Sequence, residues 1–200
     1  MEEKQKLFED LEYIKQIIHD SRNVVVQNGI GFIVWGIIII IGLVFSYIDT
    51  SLSGDQYSSE GWLILISGGW LYTIFSWLTN RKVKKAITFA ERIIGSTWLA
   101  AGITMTLLGF VGPAAGAYNG VYVSPLLASI LGIAFFITAN IHNSKILKSI
   151  APLWWLGAAY MLIFPGIQTI IIMAAMMLFL QVIPGIVFYR KYKAESNNGI

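Results

Sequence analysis

Six apolar stretches, each near the length needed to cross a bilayer, constrain this chain more than any other feature. A transmembrane helix takes roughly 20 mostly apolar residues, with a range of about 17 to 25. The stretches run from Val24 to about Ile48, Gly61 to Thr79, Ile93 to Val111, Val121 to about Thr138, Leu147 to Phe164 and Gly166 to Tyr189. Their cores hold no Asp, Glu, Lys, Arg or His. Only 12% of the residues are charged and 56% are hydrophobic, whereas a water-soluble domain is about 25% charged. A soluble globule and a disordered chain are both excluded. With no cysteine, disulfides, thiol nucleophiles and cysteine-ligated metals are excluded as well. The expected fold is all-α: a polytopic membrane protein of six transmembrane helices with an N-terminal cytoplasmic amphipathic helix.

Residues 1–23 form the cytoplasmic extension, 24–190 the membrane domain and 191–200 a cytoplasmic tail. The opening MEEKQKLFEDLE lacks the basic start and small-residue cleavage site of a signal peptide, so the first span is expected to stay in the mature chain. Pro165-Gly166 reads as a tight turn between the last two spans.

Orientation follows from the basic residues. Lys4, Lys6, Lys15 and Arg22 precede span one, and Arg81, Lys82, Lys84, Lys85 and Arg92 join spans two and three. Lys145 and Lys148 join spans four and five, and Arg190, Lys191 and Lys193 follow span six, which accounts for all 14. The other three connections have none. Short basic loops stay cytoplasmic, so both termini are expected in the cytoplasm of a cell with an inner membrane. The net charge of +3 is therefore a topology signal, and no nucleic-acid partner is expected.

Outside the membrane, Leu7, Leu11, Ile14 and Ile18 are spaced 4, 3 and 4, which places them on one helical stripe. The segment through Arg22 has six acids against four bases. A membrane-surface helix prefers Lys and Arg on its polar face, so the stripe is expected to dock on protein, either this chain's own loops or a partner.

Within the spans, Gly95, Gly102 and Gly109 recur every seven residues as a small-residue groove of the kind that lets helices approach. Gly29 and Gly36 repeat the spacing of Gly95 and Gly102, and TNRK resembles HNSK, which hints at three successive hairpins. Trp62, Tyr47, Tyr118 and Tyr122 fit one interfacial belt, and Trp77, Tyr189 and Tyr192 the other. Trp35, Trp70, Trp98, Trp154 and Trp155 read as packing residues. Uncharged polar groups gather toward the cytoplasmic side, and Gln27, Asn28, Asn80, Asn140 and Gln181 are the candidate binding cluster. Interhelical hydrogen bonding and a shallow polar pocket are the two readings of that cluster. Pro184 lacks an N–H and crowds the carbonyl of Leu180, so a weakened turn or hinge is expected there, eased by Gly185.

The segment DLEYIKQIIHDSRNVVVQNGIGFIVWG resembles small, uncharacterised six-span bacterial inner-membrane proteins. LWWLGAAYMLIFPG followed by LQVIPGIVFYRK is similar to the hairpins of HdeD-like membrane proteins, a family linked to acid resistance. The resemblance implies six spans in a bacterial inner membrane, and neither segment carries catalytic residues.

No enzyme is expected. His19 and His142 have no neighbouring ligand set, and Asp49, Asp55 and Glu60 lie in a loop where solvated carboxylates are ordinary. GxSxG, P-loop and dinucleotide fingerprints are missing, and no catalytic residue, metal or cofactor is assigned. Spans without ionisable groups argue against side-chain coupling to protons or Na⁺. The expected role is a non-enzymatic interaction or regulatory component of the membrane. Its partners would be the bilayer and a membrane or cytoplasmic protein reached through the N-terminal helix. The alternative is a small transporter or permeability protein for an uncharged or small polar solute.

Overall fold

The computed structural model describes residues 29–53, 59–81 and 89–197. Hydrocarbon offers no partner to a backbone N–H or C=O, so a chain this apolar must pair those groups within helices. It does: six helices are long and apolar enough to cross a membrane, and no strand occurs among the described residues. They are α1 (Ile30–Ser53), α2 (Ser59–Arg81), α3 (Phe89–Thr106), α4 (Val123–His142), α5 (Lys145–Ile163) and α6, which begins as Gln168–Met176. The polytopic all-α fold is as expected. The stripe residues Leu7, Leu11, Ile14 and Ile18 lie outside the described residues, as do Gln27, Asn28 and Asp55.

Several helices outrun the apolar stretches that announced them, and two of these change pitch on the way. Beyond Thr106, α3 continues through a π-helical turn, Leu107–Val111, and a further turn, Gly112–Ala114. Likewise α6 passes through a π-helical segment, Met177–Val182, and resumes as Ile183–Asn197. Hydropathy marks only what fits the hydrocarbon, whereas good helix formers such as Arg190, Lys191 and Lys193 carry the helix past it.

Both π-helical segments end two residues before a proline, Pro113 in α3 and Pro184 in α6. A proline ring crowds the carbonyl four residues back. A wider turn moves that carbonyl away, so the helix absorbs the proline and runs on. The turn expected to weaken at Pro184 is thus a π-helical one with helix on either side.

The closest pair is α4 with α5. Asn143, left-handed at φ 48°, ends α4, and its N–H reaches the Ala139 and Asn140 carbonyls. Ser144 then caps α5, accepting from the Leu147 N–H at 3.4 Å. Lys148 Nζ closes the turn on Asn143 Oδ1 at 2.7 Å. Small residues line the seam: Ala128, Ala134 and Ala139 of α4 and Ala151 and Ala158 of α5 are all buried. Around them Phe135, Trp154, Leu147 and Met161 fill the core, joined by Met173 and Met177 of α6. The first half of α6, its π-helical segment and its last part all pack on α1. By contrast α3 rests on α4, and α2 rests on α1 at the edge of the bundle.

Candidate functional site

Gln181 is the polar side chain buried in the π-helical segment of α6, at 3% exposure. Its Nε2 donates to the Phe32 carbonyl of α1 at 3.4 Å. Its Oε1 is buried with no hydrogen-bond partner. The crossing is close because glycines face each other there. Gly29 holds φ +65°, and a Cβ on it would be driven into the Gly185 carbonyl oxygen. On the next turns a Cβ on Gly36 would strike the Val182 side chain. In a bilayer such small residues allow backbones to meet and amides to bond across helices.

From Phe32 an aromatic cluster leads into the core. The Phe32 ring lies 5.0 Å from Trp98 and 5.4 Å from Phe135. Trp98 meets Phe135 edge-on at 5.2 Å, and Phe135 stacks on Trp154 at 5.9 Å. Trp154 is fully buried and its Nε1, like Gln181 Oε1, has no partner.

Three of the other tryptophans follow one rule. Trp35 Nε1 of α1 donates to Thr73 Oγ1 of α2 at 3.0 Å, and that hydroxyl donates to the Gly69 carbonyl one turn back at 2.9 Å. Trp70 of α2 reaches Thr106 of α3 at 3.3 Å, with Thr106 bonded to Gly102 at 2.8 Å. Trp98 of α3 reaches Thr138 of α4 at 3.1 Å, with Thr138 bonded to Ala134 at 2.7 Å. Each indole lies where the partner helix carries a small residue one turn before a hydroxyl. At Gly102 the Trp70 ring would stand 3.2 Å from an added Cβ, and at Gly69 the Trp35 ring fills that place. Trp62 of α2 repeats the arrangement backward, covering Gly42 and donating to Ser46 Oγ of α1 at 2.7 Å. Trp155 of α5 lies on Gly132 and donates to the Ser129 carbonyl at 3.2 Å.

These bonds place the candidate residues. Gln181 is in the interior, whereas Asn140 is exposed and donates to its own helix at the Phe136 carbonyl, 2.9 Å away. Asn80 belongs to the last turn of α2. The two amides whose contacts are described thus serve different places, Gln181 the α1–α6 crossing and Asn140 the surface of α4. Of the glycine groove on α3, Gly102 receives an indole, Gly95 has open space beside it and Gly109 is buried. Sequence reading assigns Trp35, Trp70 and Trp98 to packing and Trp62 to an interfacial belt, and it misses their hydroxyl partners. The available signal was a Gly or Ala four residues before a Thr or Ser, as in Gly69–Thr73, Gly102–Thr106, Ala134–Thr138 and Gly42–Ser46.

At the end of the bundle opposite the basic connections, Tyr118 donates its hydroxyl to the Leu108 carbonyl. Burial raises the Tyr118 phenol above its ordinary value. Among the described residues no three His, Asp or Glu side chains gather in a way that would hold a metal ion. Comparison with protein-family models, curated proteins and solved structures finds no match to this chain.

Proposed function

We propose that this integral membrane protein is a non-enzymatic interaction or regulatory component, with α2 as its lateral contact for a span of another membrane protein. The observation that supports this is the contrast between the fixed placement of α2 and its exposure. Only 6% of its apolar window is buried, yet Trp35, Trp62 and Trp70 bond it to both neighbours. Ile64, Gly68, Leu71 and Phe75, spaced 4, 3 and 4, lie on one exposed stripe. Gly68 has open space beside it, the feature that lets an incoming helix approach. The N-terminal stripe of Leu7, Leu11, Ile14 and Ile18 is the second contact in this reading.

Photo-crosslinking groups at Ile64, Leu71 and Phe75 would test it, with Leu156 and Leu162 of α5 as controls. A single protein adduct from α2 positions, lost in Gly68→Leu and in a chain lacking residues 1–23, is the expected result. Lipid adducts alone from every position would sink the reading.

The proposed setting is a bacterial inner membrane with both termini cytoplasmic, supported by the distribution of basic residues. Cysteine at Ala117 should then react with an impermeant thiol reagent in sealed cells and cysteine at Lys84 should not. A second reading, passage of a small uncharged solute, is favoured by the unpartnered Oε1 of Gln181. Solute flux into vesicles that Gln181→Leu leaves unchanged would remove it.

A further inference from the structure

The start of the described chain lies against the last part of α6. A Cβ on Gly29 would stand 3.0 Å from the Tyr189 nitrogen, and one on Gly185 would stand 3.1 Å from the Gly29 carbonyl oxygen. Residues 1–28 therefore join the bundle beside Tyr189. From Gln168 to Tyr189 the helix runs roughly 30 Å, the thickness of the hydrocarbon layer. It nevertheless continues to Asn197, roughly 12 Å into the water beyond. Tyr189 through Ala194 are all exposed. Among the described residues, the side chains of Arg190, Lys191 and Lys193 have no ionic partner.

The segment that joins the bundle there has the opposite charge balance, six acids against four bases, and its charges are sorted. On the helix that the stripe of Leu7, Leu11, Ile14 and Ile18 predicts, at about 100° per residue, Glu2, Glu9 and Asp20 fall within about 20° of one another, opposite the stripe. Glu12 flanks them one turn from Glu9. Lys4, Lys15 and Arg22 fall together at the edge of the stripe instead. The acids thus have a face of their own. Glu9 and Glu12 repeat the three-residue spacing of Arg190 and Lys193, the spacing that puts two side chains on one side of a helix.

We propose that the acidic face of residues 2–20 docks along the exposed end of α6, with Glu9 and Glu12 pairing with Arg190 and Lys193. The chain from Asp20 to Gly29 reaches up to roughly 30 Å, enough to lay the two helices side by side. Each exposed ion pair is weak, but attachment at Gly29 holds the partners at an effective concentration of about a millimolar. An anionic headgroup would repel the same acids. With the acids turned to α6 the apolar stripe faces outward, where the second contact of the proposed function needs it. The docking itself requires only this chain.

The chain has no cysteine of its own, so Tyr13→Cys and Ala194→Cys can carry spin labels in the full protein in phosphatidylcholine vesicles. Helices in contact have axes about 10 Å apart, and one short-distance population should dominate at low salt. Salt at about 1 M shortens the screening length to about 3 Å and should reduce that population roughly fivefold, as should Arg190→Glu with Lys193→Glu. Both of those residues are exposed, so their reversal disturbs no packed surface. Adding Glu9→Lys with Glu12→Lys to the reversed chain should restore the short distance. A short population that survives salt and reversal, or a reversal that the second pair of changes does not rescue, would overturn the proposal. So would its loss when phosphatidylglycerol joins the vesicles, which would assign the basic end of α6 to lipid headgroups. No partner is present in these vesicles, so the outcome is separate from that of the α2 crosslinks.

Discussion

The two halves of this bundle are held together by different means. In the apolar windows of α4, α5 and α6, 33, 33 and 39% of residues are buried, against 17, 6 and 17% for α1, α2 and α3. The second half is packed through small residues, with Ala128, Ala139, Ala151 and Ala158 at 2% exposure or less. The first half is stitched, one indole to one hydroxyl, from α1 to α2, from α2 to α3 and from α3 to α4. Lipid tails are as apolar as leucine, so neither half gains from the hydrophobic effect as a soluble core would. Close packing yields dispersion along a whole seam, whereas a stitch fixes one point and leaves the rest of the helix face uncovered. A span can therefore be placed accurately without being buried, as α2 is.

The sharpest way to break this comparison is to remove one large ring from each half. Phe135 is fully buried between Phe32, Trp98 and Trp154. Phe135→Ala should cost about 3–5 kcal/mol, because its neighbours cannot collapse into the space. Phe75 is 70% exposed on α2, and Phe75→Ala should stay within about 0.5 kcal/mol. Denaturation of the reconstituted protein would measure both. Comparable losses would mean that the halves do not differ in kind.

A smaller effect tests the stitches themselves. Trp70→Phe keeps the ring on Gly102 but removes the donor to Thr106, and Thr106→Val removes the acceptor. Hydrogen bonds between membrane helices average about 0.6 kcal/mol and reach about 1.7, so each change should fall in that range. The double variant should cost less than the sum, since both remove one bond. Hydrogen exchange should rise in α2 and stay unchanged in α5. Additive losses, or a rise spread evenly over all six helices, would show that the bond is incidental.

How much of this was legible in the sequence depends on the range of the interaction concerned. The six spans were, because hydropathy over 20 residues is a local property that lipid enforces. Gln181 was legible as an amide within an apolar run, and Pro184 as a disturbance. That Gln181 reaches Phe32, 149 residues away, was not, since it depends on the crossing of α1 and α6. Asn140 looked equivalent in sequence, and its bond is to a carbonyl of its own helix. The stitches join residues 36 to 40 apart, about one span with its connection. Their repetition is therefore by span, whereas the glycine spacings hinted at hairpins. Trp62 fits an interfacial belt and also bonds Ser46, roles that the sequence alone does not separate.

The smallest expected effect concerns Tyr118, where the open half meets the packed one. Its loop leads from the end of α3 into α4, and its hydroxyl serves the Leu108 carbonyl that the π-helical turn and Pro113 leave open. Burial raises the phenol's pKa in the folded protein; an unfolded tyrosine titrates near pH 10. The neutral phenol is thus the form that folding favours. Its contribution should be fully present below about pH 10 and be lost as pH rises through the higher folded value. Other tyrosines and lysines titrate in the same window, so the informative quantity is the difference from Tyr118→Phe. That variant lacks the donor at every pH and should be less stable below pH 10, with the gap closing as the pH climbs past it. The loop is partly exposed, so the effect should be a shift of about one degree in unfolding temperature. A gap that stays constant across the alkaline range would show that the phenol's proton is not what secures the end of α3, and that ring packing alone joins the two halves there.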